Sequence, residues 1–293
     1  MRNKNGFYAA LAAPAMIWLL LLFIVPFYAV LAIAMGKLDR LYESPVAVWN
    51  PFAWSSSNVI DVYHDIIGST SFAGPIVLRT ILYVAIAAVA CLLIGYPAAY
   101  FVARFSGRRK GVFLILLIAP FWISYMMRML AWVDLLQTNG YANTVLGWVG
   151  ISPVNWLGGR SVTVILGLVY GYIPFMILPI YASLDRIQES LLEAGRDLGG
   201  SGASTFWRVT LPLSRPAILA GIVIVTLPMF GDYYTNDLLG TTKTSMFGNL
   251  IAQQREASGG STQAASLVLI LSVIVLLPML YYLRETKRQV EQA

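Results

Sequence analysis

The sequence predicts an all-α membrane protein with six transmembrane helices. Of its 293 residues, 58% are hydrophobic and 12% are charged, whereas about a quarter of the residues in soluble proteins are charged. Apolar runs of roughly twenty residues, the length of a bilayer-spanning helix, recur along the chain. Backbone polar groups in lipid must be paired internally, and the alternating polarity of barrel strands is missing, so these runs indicate helices.

The six runs define the predicted spans in order. They are about 10–35, 80–103, 112–133, 162–184, 214–234 and 264–283, within a single transmembrane domain over residues 1–293. The first run follows Arg2 and Lys4, so a signal peptide is the alternative. Its apolar core is longer than that of a signal peptide, so we expect a retained anchor. Each run holds a proline, which favours bent helices like those of many transporters.

The distribution of lysine and arginine predicts the orientation. With the N-terminus inside, most of the 20 basic residues fall on the cytoplasmic side, so the positive-inside rule places both termini in the cytoplasm. This asymmetry accounts for the net charge of +6. We therefore expect no nucleic-acid partner, which would require a basic face on a soluble module. One cysteine, Cys91, and one histidine, His64, predict no internal disulfide and no metal site.

The longest segment outside the predicted spans is about 36–78, on the predicted external side. Four of its side chains recur at helical spacing: Val59, Ile60, Tyr63 and Ile67. This pattern predicts a short helix lying at the membrane surface.

A charged segment, residues 185–212, separates the fourth and fifth spans. Asp185 has the features of a helix N-cap, and Gly199-Gly200 predicts the end of that helix. Ser204 could cap a second helix, which we expect Leu211-Pro212 to break. The segment fits either an amphipathic hairpin on the inner leaflet or a docking element for a soluble partner. One apolar face repeats at helical spacing: Ile187, Leu191, Ala194 and Leu198.

The same segment resembles the EAA loop of MetI-like permeases of type I ABC importers. Glu193-Ala194-Gly195, Gly199 and Leu211-Pro212 stand at the separations of that motif, with Gly195 where the family more often has a second alanine. The resemblance covers nearly all of the chain. It implies that residues 185–212, here named the coupling loop, dock on a separate ATPase subunit. The coupling residues that it implies are Glu193, Ala194, Gly195, Asp197, Gly199, Leu211 and Pro212.

Further segments resemble the spermidine/putrescine permease branch of that family: 93–100, 119–124, 167–170, 174–176, 237–240 and 248–251. The resemblance implies a non-catalytic, multi-pass subunit of a polyamine importer in the bacterial cytoplasmic (inner) membrane. Its implied partners are a second homologous permease, ATPase subunits and an extracytoplasmic substrate-binding protein. The chain lacks G-x-x-x-x-G-K-[ST], so we expect ATP and Mg²⁺ on the ATPase and no cofactor on this chain.

A polyamine path needs carboxylates and aromatic faces that can receive a small cationic substrate. The candidates are Trp122, Tyr125, Asp134, Tyr172, Asp232, Tyr233, Tyr234 and Asp237. The same residues also fit an interfacial aromatic belt with loop carboxylates, and the sequence leaves both interpretations open. Arg128 opposes a cation path, so we expect it to pair with an aspartate or to reach the interface.

Two other functions are compatible with the sequence. One is the same importer architecture with ferric iron, an organic anion or a sugar as its substrate. The other is a carrier driven by an ion gradient and working without an ATPase. A membrane enzyme fits less well, because no nucleophile–base pair or metal-ligand set is present in the sequence.

Overall fold

The computed structural model describes residues 4–39, 44–68, 71–257 and 260–292, which are mostly helical. Arg2, used above to predict orientation, lies outside them. An antiparallel hairpin pairs β1 (Lys37–Asp39) with β2 (Ser44–Val46). The α-helices are α1 (Lys4–Ala34), α2 (Ser57–Ile67), α3 (Ala73–Arg104), α4 (Lys110–Ile118), α5 (Tyr125–Leu136), α6 (Tyr141–Trp148), α7 (Ser161–Arg186), α8 (Glu189–Asp197), α9 (Gly202–Thr205), α10 (Leu211–Phe230), α11 (Tyr234–Leu239), α12 (Phe247–Glu256) and α13 (Ser261–Gln292).

Five helices of the described chain are long and apolar enough to span a membrane. They are Leu11–Ala34 of α1, α3, α7, the continuous helix Gly202–Phe230, and Ser261–Arg284 of α13. A sixth span results if Gly107–Trp122 and Tyr125–Trp148 are counted together, although these two segments meet at 89°. The predicted all-α membrane fold with up to six spans is confirmed.

The third span is broken, where the sequence suggested one apolar helix over 112–133. A 3₁₀ turn, Ala119–Trp122, follows α4 and contains Pro120. Ile123 then adopts extended backbone, with φ −91° and ψ 136°, before α5 begins at Tyr125. Proline has no N–H for the helical ladder, and this break redirects α5 relative to α4.

The described chain forms two compact units, of which the first comprises the described residues within 1–74 and 250–274. Most apolar side chains along α1 are exposed, as expected for a lipid-facing helix. The Asn58 amide of α2 donates to the carbonyls of Ala34 and Gly36 at 3.1 and 2.9 Å. The helix predicted from the spacing of Val59 to Ile67 is therefore present as α2, tied to the end of α1.

The second unit comprises residues 75–249 and 275–293, and its core is built around α7. Helix α10 packs along α7, and α5 and α11 also contact α7. The fully buried side chains of α7 include Val164, Leu168, Met176, Ile180 and Leu184. A helix with buried apolar groups on several sides is typical of the centre of a bundle.

The helix of the fifth span runs without a break through the predicted breakpoint at Leu211-Pro212. A π turn, Phe206–Thr210, joins α9 to α10, and the Leu211 N–H bonds to the carbonyl of Phe206. Pro212 therefore lies in the first turn of α10, where its missing N–H is tolerated. The predicted stop at Leu211-Pro212 was wrong because a widened turn accommodates the proline.

Asn143, which the sequence did not single out, organises the segment between α5 and α7. Its Nδ2 donates to the carbonyls of Gln137, Thr138 and Val154 at 3.4, 3.1 and 3.0 Å. Its Oδ1 accepts from the Val154 N–H and from Trp156 Nε1 at 3.0 and 3.1 Å. One buried amide thus satisfies backbone groups at both ends of the segment.

We expect Asn143→Ala to loosen residues 137–156, because it removes the hydrogen bonds that connect residues 137–138 to residues 154–156, each worth about 0.5–1.5 kcal/mol. Hydrogen–deuterium exchange of this segment should rise in the variant. Asn139→Ala, at an exposed position of the same segment, is the matched control and should leave exchange unchanged. Equal exchange in both variants would contradict the role assigned to Asn143.

Candidate functional site

The coupling loop folds as two helices joined by a glycine turn. Helix α8 ends at Asp197, and Gly199 follows with φ +83°, a conformation that glycine adopts at low cost. The Gly200 N–H donates to the Gly195 carbonyl at 3.1 Å and closes the turn. Ser201 then caps α9 by accepting from the Ser204 N–H at 3.2 Å.

Two of the predicted caps are misplaced. Asp185 lies in the last turn of α7, since that helix continues to Arg186, and α8 begins only after Gln188. Ser204 is inside α9, and Ser201 is the capping residue. The predicted turn at Gly199-Gly200 is correct.

The predicted coupling residues divide into an exposed set and a packed set. Glu193, Ala194 and Asp197 are exposed on α8, and the neighbouring Leu198 is 90% exposed. Gly195 instead faces α9: a Cβ at this position would lie 3.3 Å from Thr205 Cγ2. Among these residues, Glu193 and Asp197 offer two exposed acids beside the exposed Leu198, and Gly195 makes a close contact with α9. Gly199 is exposed in the turn, while Leu211 and Pro212 are partly buried at the start of α10.

Polar contacts attach the beginning of the coupling loop to the second unit. Arg104 Nη2 donates to the carbonyls of Leu184 and Ile187 at 2.9 and 3.0 Å, which satisfies acceptors at the end of α7. Lys110 and Asp185 form an ion pair at 2.5 Å. These contacts hold the point where α7 enters the loop.

Aromatic contacts attach the far side of the loop to α3. The Phe206 ring meets Tyr96 and Tyr100 edge-on, with ring centroids 5.7 and 5.8 Å apart. The hydroxyl groups of Tyr96 and Ser214 are hydrogen bonded at 2.9 Å. The coupling loop is therefore packed against α3 as well as continuous with α7 and α10.

A buried polar cluster lies where α5, α7 and the start of α11 meet, here named the Asp232 cluster: Tyr125, Tyr172, Asp232 and Thr235. Asp232 is 6% exposed. Its Oδ2 accepts from the Tyr125, Tyr172 and Thr235 hydroxyls at 2.7, 3.2 and 2.6 Å. Its Oδ1 accepts from the Thr235 N–H at 3.0 Å. Four neutral donors thus solvate one buried carboxylate.

Two glycines of α7, one turn apart, make the cluster geometrically possible. A Cβ at Gly171 would lie 2.7 Å from Tyr125 Cε2 and 2.9 Å from its hydroxyl oxygen. A Cβ at Gly167 would lie 2.6 Å from Leu239 Cδ1 and 2.7 Å from Thr235 Cγ2. A Cβ at either position would force the side chain of Tyr125, Leu239 or Thr235 to move.

Arg128 lies beside the cluster, buried and stacked on aromatic rings. Its guanidinium carbon is 4.5 Å from the Phe121 ring centroid, 5.3 Å from that of Tyr125 and 5.9 Å from that of Tyr170. The residue is 7% exposed. No described residue forms an ion pair with it, and its buried Nε has no hydrogen-bond partner. Arg128 therefore neither forms the expected direct ion pair with an aspartate nor reaches an exposed position, because three ring faces surround its guanidinium group.

The other five predicted path residues differ in their exposure and contacts. Trp122 is 81% exposed, and the exposed Asp134 side chain lies 3.5 Å from Gln137 Nε2. The rings of Tyr233 and Tyr234 stack on each other at 4.1 Å. Asp237 accepts from Asn249 Nδ2 at 2.6 Å. The structure thus joins Tyr125, Tyr172 and Asp232 by hydrogen bonds, whereas Trp122 and Asp134 are exposed.

Sequence reasoning missed the supporting residues Thr235, Gly171 and Phe206. Thr235 follows the predicted Asp232 at the i+3 spacing of a helix cap, so a local signal for it exists. Gly171 and Phe206 act through contacts with distant helices, which no local pattern reveals. Among the described residues, no three His, Cys, Asp or Glu side chains are grouped so that they could hold a metal ion.

Residues 91–285 match the family model for the binding-protein-dependent transport system inner membrane component. The chain therefore belongs to this family.

Proteins similar in sequence to this chain include several that are named spermidine/putrescine transport system permease protein PotB. That of Escherichia coli (strain K12) is 37% identical over 207 residues, covering 69% of this chain and 75% of the relative. That of Haemophilus influenzae is 32% identical over 290 residues, covering 97% of this chain and 96% of the relative.

Solved structures with the same fold are more distant in sequence. One is the crystal structure of a bacterial alginate ABC transporter in complex with an alginate pentasaccharide-bound periplasmic protein. It matches with a TM-score of 0.75 and 16% identity, covering 97% of this chain and 95% of that chain. An inward-facing MetNI methionine ABC transporter matches with a TM-score of 0.54 and 18% identity, covering 73% of this chain and 94% of that chain.

We expect Gly171→Ala to destabilise the protein by about 1–3 kcal/mol, because the added methyl forces Tyr125 away from Asp232. Thermal unfolding of the purified protein in detergent measures the effect. Gly147→Ala on α6 is the control, since an added Cβ there has no atom within 4 Å. The control should unfold at or slightly above the wild-type temperature. Equal unfolding temperatures for both variants would contradict the proposed packing of Tyr125.

Proposed function

We propose that this chain is a non-catalytic permease subunit of an ATP-driven importer for polyamines in the bacterial inner membrane. Membership of the binding-protein-dependent transport family supports the transport role. The PotB relative from Haemophilus influenzae, which matches along 97% of this chain, supports the substrate class, since its name specifies spermidine and putrescine. The chain forms half of the translocation pathway, and a second homologous permease forms the other half.

The observation that best supports a cationic substrate is the burial of the Asp232 carboxylate. A carboxylate deep in a membrane protein is costly and is commonly found on ion or substrate pathways. Here it is framed by the phenols of Tyr125 and Tyr172, whose ring faces favour ammonium groups through cation–π attraction. A primary or secondary ammonium group of a polyamine would donate hydrogen bonds to Asp232 while contacting these rings.

The coupling loop supplies the connection to chemical energy. Its exposed face, with Glu193, Asp197 and Leu198, faces the cytoplasm in the proposed orientation and docks on an ATPase subunit. ATP and Mg²⁺ are bound by that subunit, and this chain binds no cofactor. An extracytoplasmic binding protein delivers the substrate from the opposite side of the membrane.

The alternative interpretation of the candidate path residues is an aromatic belt at the membrane interface. This interpretation suits the exposed Trp122 better than it suits the buried Asp232 cluster.

Reconstitution of the whole importer in lipid tests the substrate class. We expect spermidine or putrescine, supplied with the binding protein, to stimulate ATP hydrolysis and to accumulate inside vesicles. Alginate oligosaccharides, other sugars, organic anions and ferric iron serve as the competing substrates. Stimulation by one of these, with no response to any polyamine, would refute the proposed substrate. Transport driven by an ion gradient without the ATPase would refute the proposed class of transporter.

The docking role of α8 is tested by reversing one exposed charge. We expect Glu193→Lys to lower polyamine-stimulated ATP hydrolysis by about tenfold, because charge reversal at an interface opposes association of the partner. The unfolding temperature of the permease should not change, since Glu193 is exposed. Glu256→Lys, an exposed glutamate on α12, is the matched control and should keep wild-type activity. Full activity and normal ATPase copurification in Glu193→Lys would reject the docking role.

A further inference from the structure

Arg128 carries a charge that has no anionic partner among the described residues. Its guanidinium group is held by the faces of Phe121, Tyr125 and Tyr170. Ring faces attract a cation but do not neutralise it. A buried charge in a membrane segment is costly and normally has an identifiable counter-charge.

Asp232 presents the complementary situation. Its four hydrogen bonds come from hydroxyl groups and a backbone N–H, all of which are neutral. These donors stabilise the ionised carboxylate, yet no cationic group of the described chain forms an ion pair with it. The guanidinium group and the carboxylate are therefore both buried, both contact Tyr125 and form no ion pair with each other.

One side chain, Tyr125, lies between the two charges. Its hydroxyl donates to Asp232 at 2.7 Å, and its ring centroid is 5.3 Å from the Arg128 guanidinium carbon. Gly171 of α7 leaves the space that this ring occupies. The phenol keeps the guanidinium and the carboxylate apart while allowing their fields to act on each other.

We propose that Arg128 is the internal counter-cation of Asp232 and sets how tightly this site holds a cationic substrate. With the site empty, Arg128 offsets the negative potential of the buried carboxylate. When an ammonium group binds Asp232, Arg128 repels it and speeds its release. Arg128 is thus a positioning residue that limits affinity in favour of turnover. This inference rests on the proposed function, because it assigns a role within the same cation site.

Loss of the Arg128 charge predicts a decrease in KM, whereas simple structural damage would not lower it. Removing the charge in Arg128→Met should lower the KM for spermidine by about tenfold, the order expected for unit charges about 10 Å apart at an effective dielectric constant of about 20. Because release is slower, kcat should fall as well. Arg128→Lys keeps the charge and should retain a KM close to that of the wild type. Asp232→Asn should raise the KM.

Uptake by the complete reconstituted importer measures these constants, with Arg255→Met as the control for loss of an exposed arginine. A lower KM in Arg128→Met and a near-normal KM in Arg128→Lys support the proposal. An unchanged or higher KM in a folded Arg128→Met importer overturns it. If the wild-type importer responds to no polyamine, the proposed substrate is wrong. The interaction between Arg128 and Asp232 is then tested by thermal unfolding alone.

A double-mutant cycle on thermal unfolding of the full-length permease supplies that independent measurement. Each single variant, Arg128→Met or Asp232→Asn, removes one charge and leaves the other without its counter-charge. The double variant should therefore unfold at a higher temperature than the sum of the two single shifts predicts. Additive shifts would show that the two charges do not act on each other, and they would overturn the proposal whatever the substrate is.

Discussion

The close approach of neighbouring helices to the glycine face of α7 is the constraint on which the candidate site depends. Gly167 and Gly171 lie one helical turn apart, and they admit α11 and the Tyr125 ring to distances that a Cβ would forbid. This approach brings hydroxyl groups from α5 and α7 onto Asp232. Without this close approach, the Asp232 carboxylate, which is only 6% exposed, would lack the hydrogen-bond donors that offset the cost of its burial. The packing of apolar helices and the existence of a polar site thus have the same steric origin.

Helix α7 also joins the Asp232 cluster to the coupling loop. Tyr172 and Arg186 belong to the same helix, about 21 Å apart at the usual rise per residue. At the far end, Arg104 binds the last carbonyls of α7, and Phe206 packs on Tyr96 and Tyr100 of α3. Movement of the loop by a bound ATPase would therefore act on helices rather than on a flexible tether. To bias transport, the ATPase must contact the loop differently in the two states of the permease.

Composition and apolar run length were sufficient to predict the helical membrane fold, because lipid leaves the backbone few alternatives. The glycine turn at Gly199 could also be predicted, since left-handed backbone favours glycine locally. The helix limits at Asp185 and Pro212 were predicted wrongly, because α7 and the π turn are held by contacts and backbone bonds outside the local pattern. Three of the eight candidate path residues meet in the structure, whereas Arg128 stacks on rings that lie in other helices. Such groupings depend on helix packing, which a single sequence does not specify.

In the proposed importer, the Asp232 cluster lies on a path that opens and closes with the ATPase cycle. Thr235 is fully buried beside Asp232, so Thr235→Cys reports access to the cluster when Cys91, the only native cysteine, is replaced by alanine. Labelling by a cationic thiosulfonate in the reconstituted importer is the direct measurement. We predict slow labelling at rest, faster labelling when ATP and the loaded binding protein are added, and slowing by excess free polyamine. Labelling at one rate in every condition would contradict the account.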